Sequence, residues 1–199
     1  MKKKSKFIPY DIYESIYQIN YDKLLENQKT LIVFDLDNTI MPYHISKPTE
    51  KITLFMKDLK EKGFTLIVMS NNHKKRISRI CKALDVDYIY GAKKPLKFGY
   101  NKVFKMYPNL KKDNIVCVGD QIITDVWGAK RSGLDCILVK PILLDNEHWY
   151  TKINRMNERR IINRFKKINP SVFSKIRLIR GDIKGWLQNV EAVEPLFSF

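Results

Sequence analysis

Short apolar runs recur along the chain and alternate with segments of a different periodicity. Five runs predict β-strands, at residues 30–34, 64–69, 87–90, 114–118 and 136–139. Their apolar residues are continuous, which is typical of strands covered on both faces. Segments with apolar residues three and four positions apart predict helices at about 48–62, 73–84, 98–106 and 124–132. This alternation predicts an α/β protein with three layers and a parallel central sheet.

The two ends of the chain depart from this alternation. Residues 7–25 are rich in Ile and Tyr and predict a short helix packed on the core. Beyond Pro141 the pattern becomes helical and basic, and Pro170 is expected to divide it into two pieces. We therefore expect a core domain at 1–145 that includes the N-terminal helix, and a basic helical extension at 146–199.

The chain is strongly basic, with 37 Lys and Arg against 21 Asp and Glu and a net charge of +16. More than half of this surplus lies between Lys152 and Lys184, where eleven basic residues accompany only Glu158 and Asp182. Such a surplus attracts anionic lipid, nucleic acid or phosphorylated substrates. Three interpretations of the extension stay open: helices on the core with a solvated basic face, peripheral binding to an anionic membrane, or, less favoured, nucleic-acid binding.

Composition also bears on localisation. No apolar run approaches the roughly 20 residues of a membrane-spanning helix, and the Lys-rich start is not followed by a signal-type apolar region. Cys81, Cys117 and Cys136 lack paired spacing, which favours reduced, buried thiols. We expect a cytoplasmic protein. The basic extension also allows peripheral binding at the inner face of the membrane.

Acidic residues follow two of the predicted strands. Asp35 and Asp37 come directly after the first run, Asp120 follows the fourth, and Asp125 comes five residues later. In parallel sheets, ligands bind beyond the carboxyl ends of the strands. Carboxylates two residues apart repel each other unless a cation lies between them or one is protonated, and hard oxygen ligands suit Mg²⁺. The pattern predicts a magnesium site.

Residues suited to binding phosphate lie between these acids. Ser70-Asn71-Asn72, after the second run, offers a hydroxyl and two amides, and Ala92-Lys93-Lys94-Pro95 offers an ammonium group. A lysine can pair with phosphate and keep a nucleophilic carboxylate ionised. Whether Lys93 or Lys94 has this role is open. Together with the acids, these residues predict phosphoryl transfer.

The order of these motifs resembles the haloacid dehalogenase superfamily of phosphatases. More narrowly, the chain is similar to the YqeG family, a group of subclass IIIA related to phosphatidylglycerophosphate phosphatases. The matching segments are Asp37-Asn38-Thr39, Ser70-Asn71-Asn72, Lys94-Pro95, Gly119-Asp120-Gln121, Thr124-Asp125 and the pair Asn154-Arg155 and Glu158-Arg159-Arg160. The resemblance covers about residues 7–165 and implies a Rossmann-like fold.

The resemblance implies a role for each residue. Asp35 would be the nucleophile that forms an aspartyl-phosphate, and Asp37 would protonate the leaving alcohol and then activate water. Mg²⁺ would be held by Asp35, Asp37 through its backbone carbonyl, and Asp120, with Asp125 in support. The remaining site residues would bind the phosphoryl group and substrate: Ser70, Lys94, Thr39, Asn71 and Asn72, with Thr39 mainly supporting its loop.

Motif spacing bears on the substrate. The 31 positions from Thr39 to Ser70 and the 24 from Ser70 to Lys94 are filled by predicted core elements, which leaves no room for a large cap domain. An open site favours a large or surface-bound phosphomonoester, and the resemblance implies phosphatidylglycerophosphate as the leading candidate. A soluble sugar or nucleotide phosphate is one alternative. A basic RNA- or ribosome-binding protein with a vestigial phosphatase site is another. The oligomeric state is not determined.

Overall fold

The structure is a computed structural model that describes residues 6–142 and 149–180, with the backbone alone for 149–156. The chain divides into two compact units, Met1–Asn146 and Glu147–Phe199. The first unit contains a sheet of six parallel strands in the order β1-β6-β5-β2-β3-β4. The strands are β1 Asp11–Tyr13, β2 Leu31–Phe34, β3 Thr65–Met69, β4 Asp87–Ile89, β5 Ile115–Gly119 and β6 Asp135–Val139. The predicted parallel α/β fold is confirmed.

Helices connect the strands of this sheet. They are α1 Tyr21–Glu26, α2 Glu50–Glu61, α3 Lys74–Leu84, α4 Phe98–Met106 and α5 Gly128–Arg131. Short 3₁₀ turns occur at Ile16–Gln18 and Lys112–Asn114, and a π-helical segment, Ile122–Trp127, precedes α5. The helix predicted at 124–132 is therefore π-helical in its first half.

The N-terminal prediction is wrong for part of its length. A helix was expected across 7–25, but Asp11–Tyr13 forms β1 and pairs with β6, with Ile12 opposite Leu138. Without β1, the backbone groups on that edge of β6 would lack partners in the sheet, and an edge strand satisfies them. Only the later part of the segment is helical, as α1.

The core of the first unit lies on the sheet faces. All four residues of β2 are buried, as continuous apolar strands between two layers require. Thr49 caps α2 by accepting a hydrogen bond from the backbone N–H of Ile52, and Met56 and Leu59 are fully buried on its inner face. The three cysteines are buried and form no disulfide.

The second unit contains α6 Trp149–Ile168 and α7 Pro170–Arg180, which break at Pro170 as the sequence predicts. Buried Glu158 accepts a hydrogen bond from Arg180 at 3.1 Å, which ties the two helices together. The side chains of Asn154 and Arg155 lie outside the described residues, as does everything after Arg180. None of the helices described is long and apolar enough to cross a bilayer.

Candidate active site

The carboxyl ends of three adjacent strands bring the predicted site residues together. Phe34, the last residue of β2, is in register with Val68 of β3 and Val118 of β5. The next polar residues along these strands, Asp35, Ser70 and Asp120, therefore emerge at one edge of the sheet. All three are buried. The sheet topology thus assembles the site from segments that are distant in sequence.

Three carboxylates and one ammonium form the centre of this site. Asp35, Asp120 and Asp125 each place an oxygen within 4.8 Å of the others. Lys94 Nζ donates to Oδ1 of Asp35 and to Oδ1 of Asp125, at 2.6 Å each. Lys94 is only 8% exposed, whereas Lys93 is exposed and has a left-handed backbone with φ of 55°. The structure therefore places Lys94 in the site.

Burial perturbs the charges of this cluster. Desolvation raises the pKa of Asp35 well above its ordinary value; Lys94 lowers it, and the neighbouring carboxylates raise it further. The pKa of Asp125 is also raised, mainly by burial and against the effect of Lys94. Burial disfavours the ammonium of Lys94, but the carboxylates of Asp125 and Asp35 outweigh it and hold its pKa above the usual value. One ammonium cannot balance three carboxylates.

The donor set suits a divalent cation. Three buried carboxylates with a single ammonium leave an excess of negative charge, and oxygen ligands are those that Mg²⁺ prefers. The residues that would hold it are Asp35, Asp120 and Asp125, and the Asp37 side chain is not part of this cluster. The expected role of Asp37 as a ligand was through its backbone carbonyl, and that stays a prediction.

A glycine and a π-helical segment place Asp125. A Cβ on Gly119 would lie 2.3 Å from Cγ of Asp125, so a side chain at this position would displace the carboxylate. Asp125 lies within the π-helical segment, a geometry that recurs at functional sites. Its Oδ2 accepts from the backbone N–H of Gln121 at 3.1 Å and from Thr124 Oγ1 at 3.2 Å, while Oδ1 faces Lys94. The carboxylate is held on both oxygens.

Asn71 and Thr39 make hydrogen bonds with the residues at the centre of the site. The amide of Asn71 accepts from the backbone N–H of Lys94 at 2.7 Å and donates to its carbonyl at 3.1 Å. Thr39 Oγ1 lies 3.4 Å from Oδ2 of Asp35 and 3.4 Å from Oδ1 of Asp120, and Thr39 is 2% exposed. Contact of either residue with substrate stays a prediction, whereas their contacts within the site are established here.

Asp37 is held by donors from α3 and the residues before it. Arg76 approaches Oδ1 with Nη2 at 2.8 Å and Nε at 3.2 Å, and Ser70 Oγ and Asn72 Nδ2 each lie 3.3 Å from Oδ2. Arg76 also donates to the carbonyl of Ile45 at 2.8 Å. Sequence reasoning missed Arg76 because it is one cation among several in a basic helix. Arg76 lies in the first turn of α3, and no feature of the sequence distinguishes it from the neighbouring cations.

Comparison with known proteins establishes the family. The haloacid dehalogenase-like hydrolase family matches residues 43–133. The chain belongs to the haloacid dehalogenase-like hydrolases, as its motifs indicate. Within them, it is 33% identical to the probable phosphatase YqeG of Bacillus subtilis over 164 residues, which is 82% of this chain and 94% of that protein. It belongs to the same family, and the prediction of a phosphatase of this superfamily is confirmed.

Solved structures are also similar at low identity. The 3-deoxy-D-manno-octulosonate 8-phosphate phosphatase of Yersinia pestis is 12% identical with a TM-score of 0.48, over 62% of this chain and 71% of that chain. A putative subfamily III A hydrolase of the haloacid dehalogenase superfamily from Legionella pneumophila is 18% identical with a TM-score of 0.38, over 53% and 63% respectively.

Proposed function

We propose that the protein is a Mg²⁺-dependent phosphomonoesterase that works through an aspartyl-phosphate on Asp35, with phosphatidylglycerophosphate as its leading substrate. The observation that carries the mechanism is the buried pairing of Lys94 with Asp35 beside Asp120 and Asp125. A phosphoryl group brings negative charge into a cluster of carboxylates, so it needs the ammonium of Lys94 and a divalent cation for charge compensation.

The reaction has two steps. A carboxylate oxygen of Asp35 attacks phosphorus, the bond from phosphorus to the leaving oxygen breaks, and Asp37 donates a proton to the departing alcohol. Water then attacks the aspartyl-phosphate, Asp37 takes its proton, and the bond between phosphorus and the Asp35 oxygen breaks to release inorganic phosphate. Asp35, Asp120 and Asp125 would hold Mg²⁺, which would supply further charge compensation for the phosphoryl group. Arg76, Ser70 and Asn72 hold Asp37 in position.

The segment after β4 supports a substrate at a membrane surface. Tyr90, Leu96 and Phe98 are 40%, 52% and 47% exposed. Lys102 Nζ lies 4.5 Å from the ring centre of Phe98 and 5.4 Å from that of Tyr90, and Lys93 approaches Phe98 at 5.5 Å. Exposed apolar tips surrounded by lysines are the combination that binds the interface of an anionic bilayer.

Charge along this segment favours the same partner. Residues 88–112 contain seven lysines and neither Asp nor Glu. The segment carries Lys94 itself, so a bilayer bound by Leu96 and Phe98 would lie next to the catalytic lysine. Residues 39–94 are occupied by core elements and carry no cap domain over the site. We therefore propose that the surface formed by Tyr90, Leu96, Phe98 and their lysines binds anionic phospholipid.

Phosphate release tests both parts of the proposal. Release from phosphatidylglycerophosphate in mixed micelles, dependent on Mg²⁺ and absent in Asp35→Asn, is the expected result. Release only from soluble sugar or nucleotide phosphates would retain the mechanism and reject the lipid. No release from any substrate would contradict the enzyme and favour the RNA- or ribosome-binding alternative.

A matched pair of variants tests the surface. Leu96→Glu should weaken sedimentation with vesicles containing phosphatidylglycerol, because a carboxylate replaces an exposed apolar tip. Leu54→Glu makes the same change at a leucine of α2 that is 58% exposed, and should leave binding unchanged. Equal binding of vesicles by both variants would contradict the proposal that this surface binds anionic phospholipid.

A further inference from the structure

A basic cleft lies beside the residues that hold Asp37. It has a volume of about 500 Å³ and is lined by Ser46, Asn72, His73, Lys75, Arg76 and Arg79. Two of these residues, Asn72 and Arg76, also donate hydrogen bonds to the carboxylate of Asp37. The cleft is therefore separated from Asp37, the residue proposed to protonate the leaving alcohol, only by the side chains of Asn72 and Arg76.

The lining of the cleft includes cationic residues and no acidic residue. Of its six residues, three are Lys or Arg and none is Asp or Glu. Arg76 is engaged by Asp37, whereas Lys75 and Arg79 are exposed and pair with no carboxylate within residues 6–142. Residues 71–84 contain five Lys and Arg and no acidic residue at all.

This arrangement is unfavourable in the absence of an anion. Lys75 and Arg79 are four positions apart on α3, so their side chains project from the same face of the helix. Like charges at this spacing destabilise a helix, and a bound anion would relieve their repulsion. Guanidinium and ammonium groups that converge on a cleft are the donors that recognise phosphate.

We propose that this cleft binds a second phosphate or phosphodiester carried by the leaving group of the substrate. The inference rests on the proposed phosphatase function and narrows it. The preferred substrates are phosphomonoesters whose alcohol bears another phosphate. A phospholipid headgroup and a soluble phosphodiester both have this chemistry, and the cleft recognises the feature that they share.

The test compares three substrates that differ by one group at a time. Phosphatidylglycerophosphate has the phosphodiester and the acyl chains, its deacylated form glycerophosphoglycerophosphate has the phosphodiester alone, and glycerol 3-phosphate has neither. In a Lys75→Ala/Arg79→Ala variant, KM for the first two should rise at least roughly tenfold with little change in kcat. Kinetics with glycerol 3-phosphate should be unchanged. The control Lys57→Ala/Lys82→Ala removes the same charge at exposed positions outside the cleft and should behave as the wild type.

Each outcome decides for or against the cleft. An equal rise in KM with glycerol 3-phosphate, or no rise with any of the three substrates, would contradict phosphate binding in the cleft. A change limited to phosphatidylglycerophosphate would also reject it, and would indicate lipid-surface binding instead.

A binding measurement separates this proposal from the proposed enzyme activity. Glycerophosphoglycerol, which has the phosphodiester but no phosphomonoester, is titrated into each protein and followed by NMR. Binding to the wild type and the control, but not to Lys75→Ala/Arg79→Ala, would support the cleft even if no substrate were hydrolysed. Absence of binding to the wild type would reject the cleft whatever the turnover.

Discussion

The ammonium of Lys94 lies 2.6 Å from Oδ1 of Asp35, in an ion pair whose side chains are only 4% and 10% exposed. A pair this buried is costly to break, because removal of one partner leaves an uncompensated charge in the interior. Here the effect is larger, since Asp125 shares the same ammonium. The chemistry and the stability of the site therefore depend on one side chain.

Lys94→Met should abolish phosphatase activity and lower the free energy of unfolding at neutral pH by about 3–5 kcal/mol. Because the pKa of Asp35 is raised in the folded protein, Asp35 binds a proton more tightly there than in the unfolded chain. Protonation of Asp35 at low pH therefore increases the free energy of unfolding, and this contribution is lost as the pH rises. In the variant this effect grows, because the lowering influence of Lys94 is gone. In urea unfolding of Lys94→Met without Mg²⁺, the free energy of unfolding should be greater at about pH 5 than at about pH 7.

The exposed neighbour supplies the control for that experiment. Lys93→Met removes the same charge next to the site without touching Asp35, and should leave the free energy of unfolding nearly unchanged at both pH values. A Lys94→Met protein as stable at neutral pH as the wild type would contradict the interpretation of the ion pair.

Mg²⁺ should stabilise the folded protein by binding the carboxylate cluster. Because the ion binds the native state, the free energy of unfolding should increase by about 2.7 kcal/mol at one hundred times the dissociation constant. Asp120→Asn removes a ligand and should reduce the gain, which thermal unfolding with and without Mg²⁺ measures. The exposed Asp113→Asn should retain the full effect, and the same gain in both variants would exclude Asp120 as a ligand.

Arg76→Ala should slow turnover according to the leaving group. Arg76 holds Oδ1 of Asp37 through Nη2 and Nε, so its loss frees the proposed acid to leave its position. An alkyl phosphate needs a proton on its leaving oxygen, and its kcat should fall by about 10²–10³. p-Nitrophenyl phosphate has a good leaving group and should be affected far less.

The ratio of the two losses distinguishes positioning from folding. A variant that is merely destabilised would lose activity with both substrates equally, whereas a positioning role predicts unequal loss. Lys82→Ala, on the same helix, should change neither substrate. Equal losses in Arg76→Ala would reject the positioning role.

Asp135→Asn should destabilise the protein at neutral pH. Asp135 lies 2.8 Å from Lys29 Nζ and 2.8 Å from Lys130 Nζ, and the Lys29 side chain is only 6% exposed. Loss of the carboxylate leaves the buried Lys29 ammonium without its partner, a cost of about 1–3 kcal/mol. Thermal unfolding beside the exposed Asp113→Asn measures this difference.

The pH dependence of this stabilisation follows from the direction in which the pKa of Asp135 is shifted. Burial acts to raise the pKa of Asp135, but hydrogen bonds from Lys130 and Lys29 outweigh it and lower the pKa below the ordinary 3.8. A lowered pKa contributes stability above the ordinary value and loses it as pH falls through the folded one. The difference between wild type and Asp135→Asn should therefore shrink below about pH 4, and a constant difference would contradict the ion pair.

The local pattern of the chain was enough to predict most of the fold. Continuous apolar runs identified β2, β3, β5 and β6, because strands buried on both faces have no polar alternation. The run at 87–90 also identified β4, although Asp87 is exposed. The strand β1 was missed, since its three residues carry almost no periodicity and are extended only because β6 offers them an unpaired edge. Arg76 was missed for a similar reason, because nothing in a basic helix distinguishes the one cation that reaches Asp37.

By itself the sequence determined the chemistry of the site: four acids, a hydroxyl, amides and a lysine at the ends of predicted strands, in the order of a known family. The tertiary structure decided which lysine enters the site, which carboxylates share it, and which side chains hold Asp37. These contacts join residues that are between 31 and 59 positions apart in the sequence. Their distances follow from strand order and register, which bring together segments that no local pattern connects.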